Sequence, residues 1–282
     1  MTEPAADLAA TPDVPAGPAD APPRRTTGDL ARAVAVVVTA VAQVAGSPLG
    51  TALAGGTSVA DVSDRYATVV TPAGYAFAVW GLIFTACAAW AVYQTLPAQL
   101  PRDVHRRTGW WLAAAFAANT AWELVFPQDG TAVLVAQVLI VVVVVTAAVA
   151  AARLQAPPPH GLDRLLPGVV APLLLGWVTF ATVANTAISG VYLGAPQEGA
   201  LARGAGIVAL VAAAAVVLDV GLRLRSGTLP FVGAAAWGAA GVAAADPAPV
   251  VTAAAWFAVV VMLAAVPVQL WRTRDPGRTL LA

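Results

Sequence analysis

Eight stretches of this chain, near residues 30–48, 74–96, 109–126, 131–152, 167–189, 202–222, 229–245 and 249–271, are apolar over close to the length that crosses a bilayer, roughly twenty residues. In hydrocarbon a backbone must satisfy its own hydrogen bonds, so each stretch has to be a helix. The chain is therefore predicted to be all-α, a polytopic transmembrane helix bundle of about eight helices. The seventh stretch is the weakest, because it is short and its glycines at 233, 238 and 241 lower helix propensity.

Arginine placement tests the count independently. With a cytoplasmic N-terminus, thirteen arginines fall on inner segments, and only Arg65 and Arg203 fall on outer ones. The bias alternates through all eight spans, which predicts both termini to be cytoplasmic. Residues 1–29 are rich in Ala, Pro, Asp and Thr, and read as a disordered cytoplasmic tail. Residues 30–190 form a first block of five spans, 191–271 a further three, and 272–282 a second tail. A chain that is 59% hydrophobic and 11% charged is not a soluble domain. Its net charge of zero and lack of a basic patch argue against a nucleic-acid partner. Membrane lipids are the expected surroundings, and the alanine, valine and arginine bias suggests a bacterial cytoplasmic (inner) membrane. Cys87 is the single cysteine, so no internal disulfide can form.

Two signatures interrupt the apolar spans: Thr71-Pro72-Ala73-Gly74-Tyr75-Ala76-Phe77-Ala78-Val79-Trp80-Gly81, and Asn119-Thr120-Ala121-Trp122-Glu123. Polar side chains in hydrocarbon are costly and usually face a protein interior or a cavity. Trp80 stands beside Gly81, whose small size brings a neighbouring helix close and turns the indole into the bundle. Asn119 and Glu123 are four apart and share a helix face with Trp122 beside them. Asn119 is expected to bond to another helix, with Asn185 as a candidate. Glu123 either reaches back to water or lines the mouth of a pocket. Trp177 and Asn185 are eight apart on the fifth span and project to roughly one face. Gly176, Thr179, Thr182 and Thr186 make that span small and polar, as close helix packing requires. Trp90, Trp110 and Trp111 read as interfacial anchors, Gln137 as a structural hydrogen-bonding group, and Asp219 with Arg223 as a local ion pair. The outer loop from about Leu49 to Thr71 is a solvated connector or a lid over an externally open pocket.

Over three spans these residues resemble the translocator protein or tryptophan-rich sensory protein family (TspO/MBR). The second span offers Pro72, Val79-Trp80-Gly81 and Phe84; the third, Asn119, Trp122 and Phe126; the fifth, Pro172, Trp177, Phe180 and Asn185. The resemblance covers roughly residues 30–190. It departs from the family at Gly74 and Ala78, where members commonly carry Trp and Pro. It implies a five-helix core enclosing a cavity for lipophilic ligands, with a tetrapyrrole such as haem or protoporphyrin as the ligand rather than an obligatory cofactor. A homodimer, common in the family, is compatible with the small-residue faces of the third and fifth spans.

Together these readings predict a membrane protein that binds a lipophilic small molecule for sensing, sequestration or transport, with Trp80, Asn119, Trp122, Glu123, Trp177 and Asn185 as pocket residues. The alternatives are a secondary transporter or permease-like subunit for small solutes, and a structural helper of a membrane complex. His105 and His160 are expected in inner loops, without a metal-ligand pattern. No nucleophile elbow or phosphate-cradling loop is present, so no catalytic residue is assigned.

Overall fold

The computed structural model describes residues 24–154, 161–245, 247–273 and 277. The tail through residue 23 and the proline-rich linker at 157–160 lie outside the described residues. Every long apolar stretch is a helix, and no strand occurs among the described residues. The helices are α1 (Thr27–Leu53), α2 (Val59–Arg65), α3 (Val79–Thr95), α4 (Asp103–Val125), α5 (Ala132–Arg153), α6 (Leu162–Tyr192), α7 (Gly199–Arg223), α8 (Thr228–Ala244), α9 (Pro249–Leu263) and α10 (Ala265–Arg272). Six segments, α1, α3 with its preceding turn, α5, α6, α7 and α9–α10, are long and apolar enough to span a membrane. The α4 helix begins with Asp103, His105, Arg106 and Arg107, which lowers its hydropathy, and α8 has only 17 residues.

The bundle is two rings that share one helix. In the first, α1, α3, α6, α5 and α4 pack in that order and close. In the second, α6 packs on α8, α8 on α9 and α9 on α7, while α7 meets α6 only sparsely. Membership of both rings makes α6 the most enclosed span: 67% of its apolar window is buried, against 33% or less for the other five.

Within the first ring, α1 and α4 run parallel in constant register. Asp29 meets Arg106 at 2.7 Å, Gly109 packs on the Arg32 side chain, and Gly46 on Glu123. The start of α1 is fixed by a capping box in which Thr26 and Asp29 exchange side-chain and backbone bonds. Asp29 also accepts from Arg32 at 2.8 Å, so this buried carboxylate ties the inner ends of the two helices together.

Glycine makes α8 part of the core. Gly238 lies under the Phe180 ring, Gly176 of α6 lies against the Phe231 carbonyl, and Gly241 touches Pro72 and Ala76. The Ala73 N–H donates to the Gly241 carbonyl at 2.9 Å, and Trp237 Nε1 donates to the Ala76 carbonyl at 2.8 Å. Of the three glycines that weaken α8 as an isolated helix, Gly238 lets it lie flush on α6 and Gly241 seats it on the Pro72 and Ala76 side chains, while Gly233 has nothing within 4 Å of an added Cβ.

Trp90 is not an interfacial anchor. It is fully buried, its ring centroid 6.1 Å from that of His105 and 6.4 Å from that of Phe116. His105 belongs to the first turn of α4 rather than to a loop and is also fully buried. Trp110 is exposed, and Trp111 carries Arg153 over its ring at 5.6 Å, the contact of a tryptophan at a membrane boundary.

Candidate functional site

Three tryptophans from three helices of the first ring meet around one small cavity. Trp80 of α3, Trp122 of α4 and Trp177 of α6 line it, with Phe77, Phe180 and Asn185, and its volume is about 30 Å³. The cause is local. Residues Gly74–Ala78 form a 3-10 turn that delivers Phe77 and Trp80 inward at the start of α3. The ring of Trp177 takes Trp80 edge-on at 6.0 Å and Phe77 edge-on at 6.2 Å. Trp80 stacks on Phe84 at 5.2 Å and Trp122 on Phe126 at 4.9 Å. Edge-to-face and offset geometries are those that ring quadrupoles favour.

Two polar features mark this chamber. Trp122 Nε1 donates to Asn185 Oδ1 at 3.0 Å, and Asn185 Nδ2 donates to the Ala181 carbonyl at 3.0 Å, so Asn185 links α4 to α6 across the wall. The indole N–H of Trp177 is buried without a hydrogen-bond partner among the described residues. A buried unpaired donor is costly, and in a chamber wall it is a ready contact for an acceptor on a ligand.

Four of the six sequence-predicted residues, Trp80, Trp122, Trp177 and Asn185, thus share the chamber. Asn119 and Glu123 are not among its lining residues. Asn119 Nδ2 donates to Glu123 Oε1 at 3.3 Å rather than to Asn185, and the Glu123 carboxyl lies where a Cβ on Gly46 would fall. Glu123 is buried, so it does not reach water; its signal in the sequence was the pair Gly46 and Gly50, one turn apart on α1.

The loop between α1 and α3 closes the chamber at the end that arginine placement puts outside. Ser63 of α2 and Pro72 line the cavity, and Val62 is fully buried. A capping box starts α2 at Ser58; the Ser58 hydroxyl and amide donate to the Asp61 carboxylate and hold its pKa below the ordinary value. At the other end the Tyr66 hydroxyl donates to Asp129 Oδ1 at 2.7 Å, and Arg65 pairs with Asp129 Oδ2. Asp129 has φ 60° and ψ −169°, a region natural to glycine that costs other residues about 1–3 kcal/mol. Asp129→Gly removes both the latch and this strain. It is expected to leave the melting temperature within a few degrees of wild type while increasing acrylamide quenching of tryptophan fluorescence. Unchanged quenching would mean that α2 does not cover the chamber.

On the opposite side of α6 lies a second cavity. Thr179, Thr182 and Thr186 face an open slot toward α7 rather than a close helix contact, and its volume is about 530 Å³. Gln137 of α5 donates to Thr186 at 3.2 Å, and Asp219 pairs with Arg223 at 2.8 Å, both as expected. No group of three or more His, Cys, Asp or Glu side chains suited to a metal occurs among the described residues.

A family model described as TSPO-like protein matches residues 30–268. The match runs through α9 and into α10, beyond the residues that carry the motifs. No curated protein and no solved structure matches the chain.

Proposed function

Because the chain belongs to the TSPO-like protein family, we propose that this multi-pass membrane protein binds a flat lipophilic ligand in its tryptophan chamber, for sensing, sequestration or transport. One observation carries the reading: three helices bring indole rings to the lining of a common space, and the N–H of one of them, Trp177, is buried without a partner among the described residues. Aromatic walls suit a planar apolar body, and a lone donor suits a ligand with an acceptor at its edge. A tetrapyrrole such as protoporphyrin IX or haem has that form. At about 30 Å³ the closed chamber has room on the scale of a water molecule. A ligand of tetrapyrrole size therefore enters only as α2 lifts and the aromatic walls separate, and binding is coupled to opening of the lid.

Titrating the detergent-purified protein with protoporphyrin IX and with haem, read by tryptophan fluorescence quenching, tests this. Saturable quenching is expected. Trp177→Phe, which removes the unpaired N–H as well as ring area, should weaken the affinity roughly tenfold, and Trp80→Phe several-fold, on the scale of one lost hydrogen bond or aromatic contact. Absence of saturable quenching by either compound would overturn the reading and leave solute transport as the function to assay in liposomes.

A further inference from the structure

We propose that the slot between α6 and α7 is a second binding site, distinct from the tryptophan chamber, and that it takes one acyl chain of a membrane lipid. Its volume of about 530 Å³ falls within the roughly 300–1,000 Å³ typical of small-molecule sites. Neighbouring helices with small facing residues ordinarily pack closely. Here they do not, although Ala202, Ala209 and Ala213 of α7 face Thr182 and Thr186 of α6 across the gap. Two contacts hold the helices apart. At the outer end the loop at Val69 and Val70 wedges against Gly206 of α7, and along its length α7 packs on α9 instead of α6.

The chemistry of the lining selects the occupant. No charged side chain lines the slot. Three of the four lining threonine hydroxyls are already used within the protein: Thr182 donates to the Val178 carbonyl at 2.8 Å, Thr186 to the Thr182 carbonyl at 2.7 Å, and Thr68 lies 3.5 Å from the Thr71 hydroxyl, which leaves Thr179 as the one lining hydroxyl without such a bond among the described residues. The surface that lines the slot is overwhelmingly apolar. A ligand that needed a polar anchor would find few groups free to provide one, whereas a hydrocarbon chain loses nothing by entering.

Shape points the same way. The lining runs from Thr179 to Val191 on α6 and from Ala202 to Val216 on α7, which at about 1.5 Å per residue is roughly 20 Å. Spread over that length the volume leaves a mean cross-section of about 25 Å², so the slot is several times longer than wide and lies along the helix axes, as lipid chains do. Its rim residues Thr186, Ala205 and Ala212 are exposed, so a chain can enter sideways from the bilayer. The long α6 helix separates this slot from the chamber, where Trp177, Phe180 and Asn185 project from its other face.

The test is photolabelling of the full chain in phosphatidylcholine vesicles that contain a phosphatidylcholine with a diazirine on one acyl chain, followed by peptide mass spectrometry. Labelling is expected to concentrate several-fold on residues 179–191 and 202–216 relative to the exposed α5 face at Val135, Val138 and Val145. Ala209→Phe fills the slot and should abolish that excess without altering α5 labelling, while Val138→Phe should leave the slot labelling intact. Ala205→Phe, at the exposed rim, repeats the test at a position where a larger side chain is readily accommodated. Even labelling over all lipid-facing helices, labelling indifferent to both slot fillings, or crosslinks from this face to a second copy of the chain would each overturn the proposal. Saturating protoporphyrin IX should not displace the slot label, and Ala209→Phe should not change porphyrin quenching, so each reading can fail without the other.

Discussion

Gly176→Ala is expected to lower the melting temperature of the purified protein by several degrees and to broaden its size-exclusion profile, although it adds a single methyl group. A Cβ at residue 176 would fall on the carbonyl oxygen of Phe231, with that residue's carbonyl carbon and Cα also close by. Because these are backbone atoms of α8, no side-chain rotation can make room. Overpacking of this kind costs about 1–3 kcal/mol, and here it acts where α8 docks on the helix that both rings share. Gly81→Ala is the matched control: contrary to the expectation that Gly81 brings a neighbouring helix close, it is exposed and nothing lies within 4 Å of its added Cβ, and alanine favours helix by about 1 kcal/mol over glycine. Its melting temperature should hold or rise. Equal behaviour of the two variants in differential scanning fluorimetry would mean that α6 and α8 do not approach as described.

The second large effect lies at Asn185. Asn185→Ala leaves the Trp122 indole N–H without its partner at 3.0 Å, inside a wall that water does not readily reach. An unpaired buried donor costs about 1–3 kcal/mol, a loss of several degrees in melting temperature. Trp122→Phe removes the donor itself together with ring area. If the bond matters, the double variant is less destabilised than the sum of the two singles, with a coupling of about 0.5–3 kcal/mol. Strict additivity would show that the α4–α6 link contributes nothing and that Asn185 acts only on the ligand. Measuring protoporphyrin affinity on the same variants separates the two roles.

The helices were legible because lipid imposes one local rule on every segment, and that rule is visible in composition. Even α8 is a helix; its glycines are poor helix formers, while the surfaces that two of them fit, Phe180 for Gly238 and Pro72 with Ala76 for Gly241, are remote in sequence. The chamber was legible through spacing on single helices, since Trp177 and Asn185 share a face and Trp122 belongs to the Asn119–Glu123 signature. Which face of α4 meets which neighbour is not written in α4 alone. Glu123, with Asn119 bonded to it, turns to α1 because Gly46 and Gly50 leave room there, a match between segments more than seventy residues apart. Trp90 resembles any tryptophan near a helix end until His105 and Phe116 are seen to cover it. The threonine face of α6 looks like a packing surface, and the wedge at Val69 and Val70, with the packing of α7 on α9, keeps α7 from using it.

The parallel pairing of α1 and α4 also sets an order of events during synthesis. On α1, Gly46 and Gly50 are covered by Glu123 and Leu124, at the far end of α4. From the last residue of α1 to the last of α4 is 125 − 53 = 72 residues. At about 5–20 residues per second that is a wait of roughly 4–14 s. For that interval the first helix stands in the membrane with its glycine seam uncovered. A nascent chain stalled between residues 95 and 125 should therefore be the species most readily captured by membrane chaperones and most readily degraded.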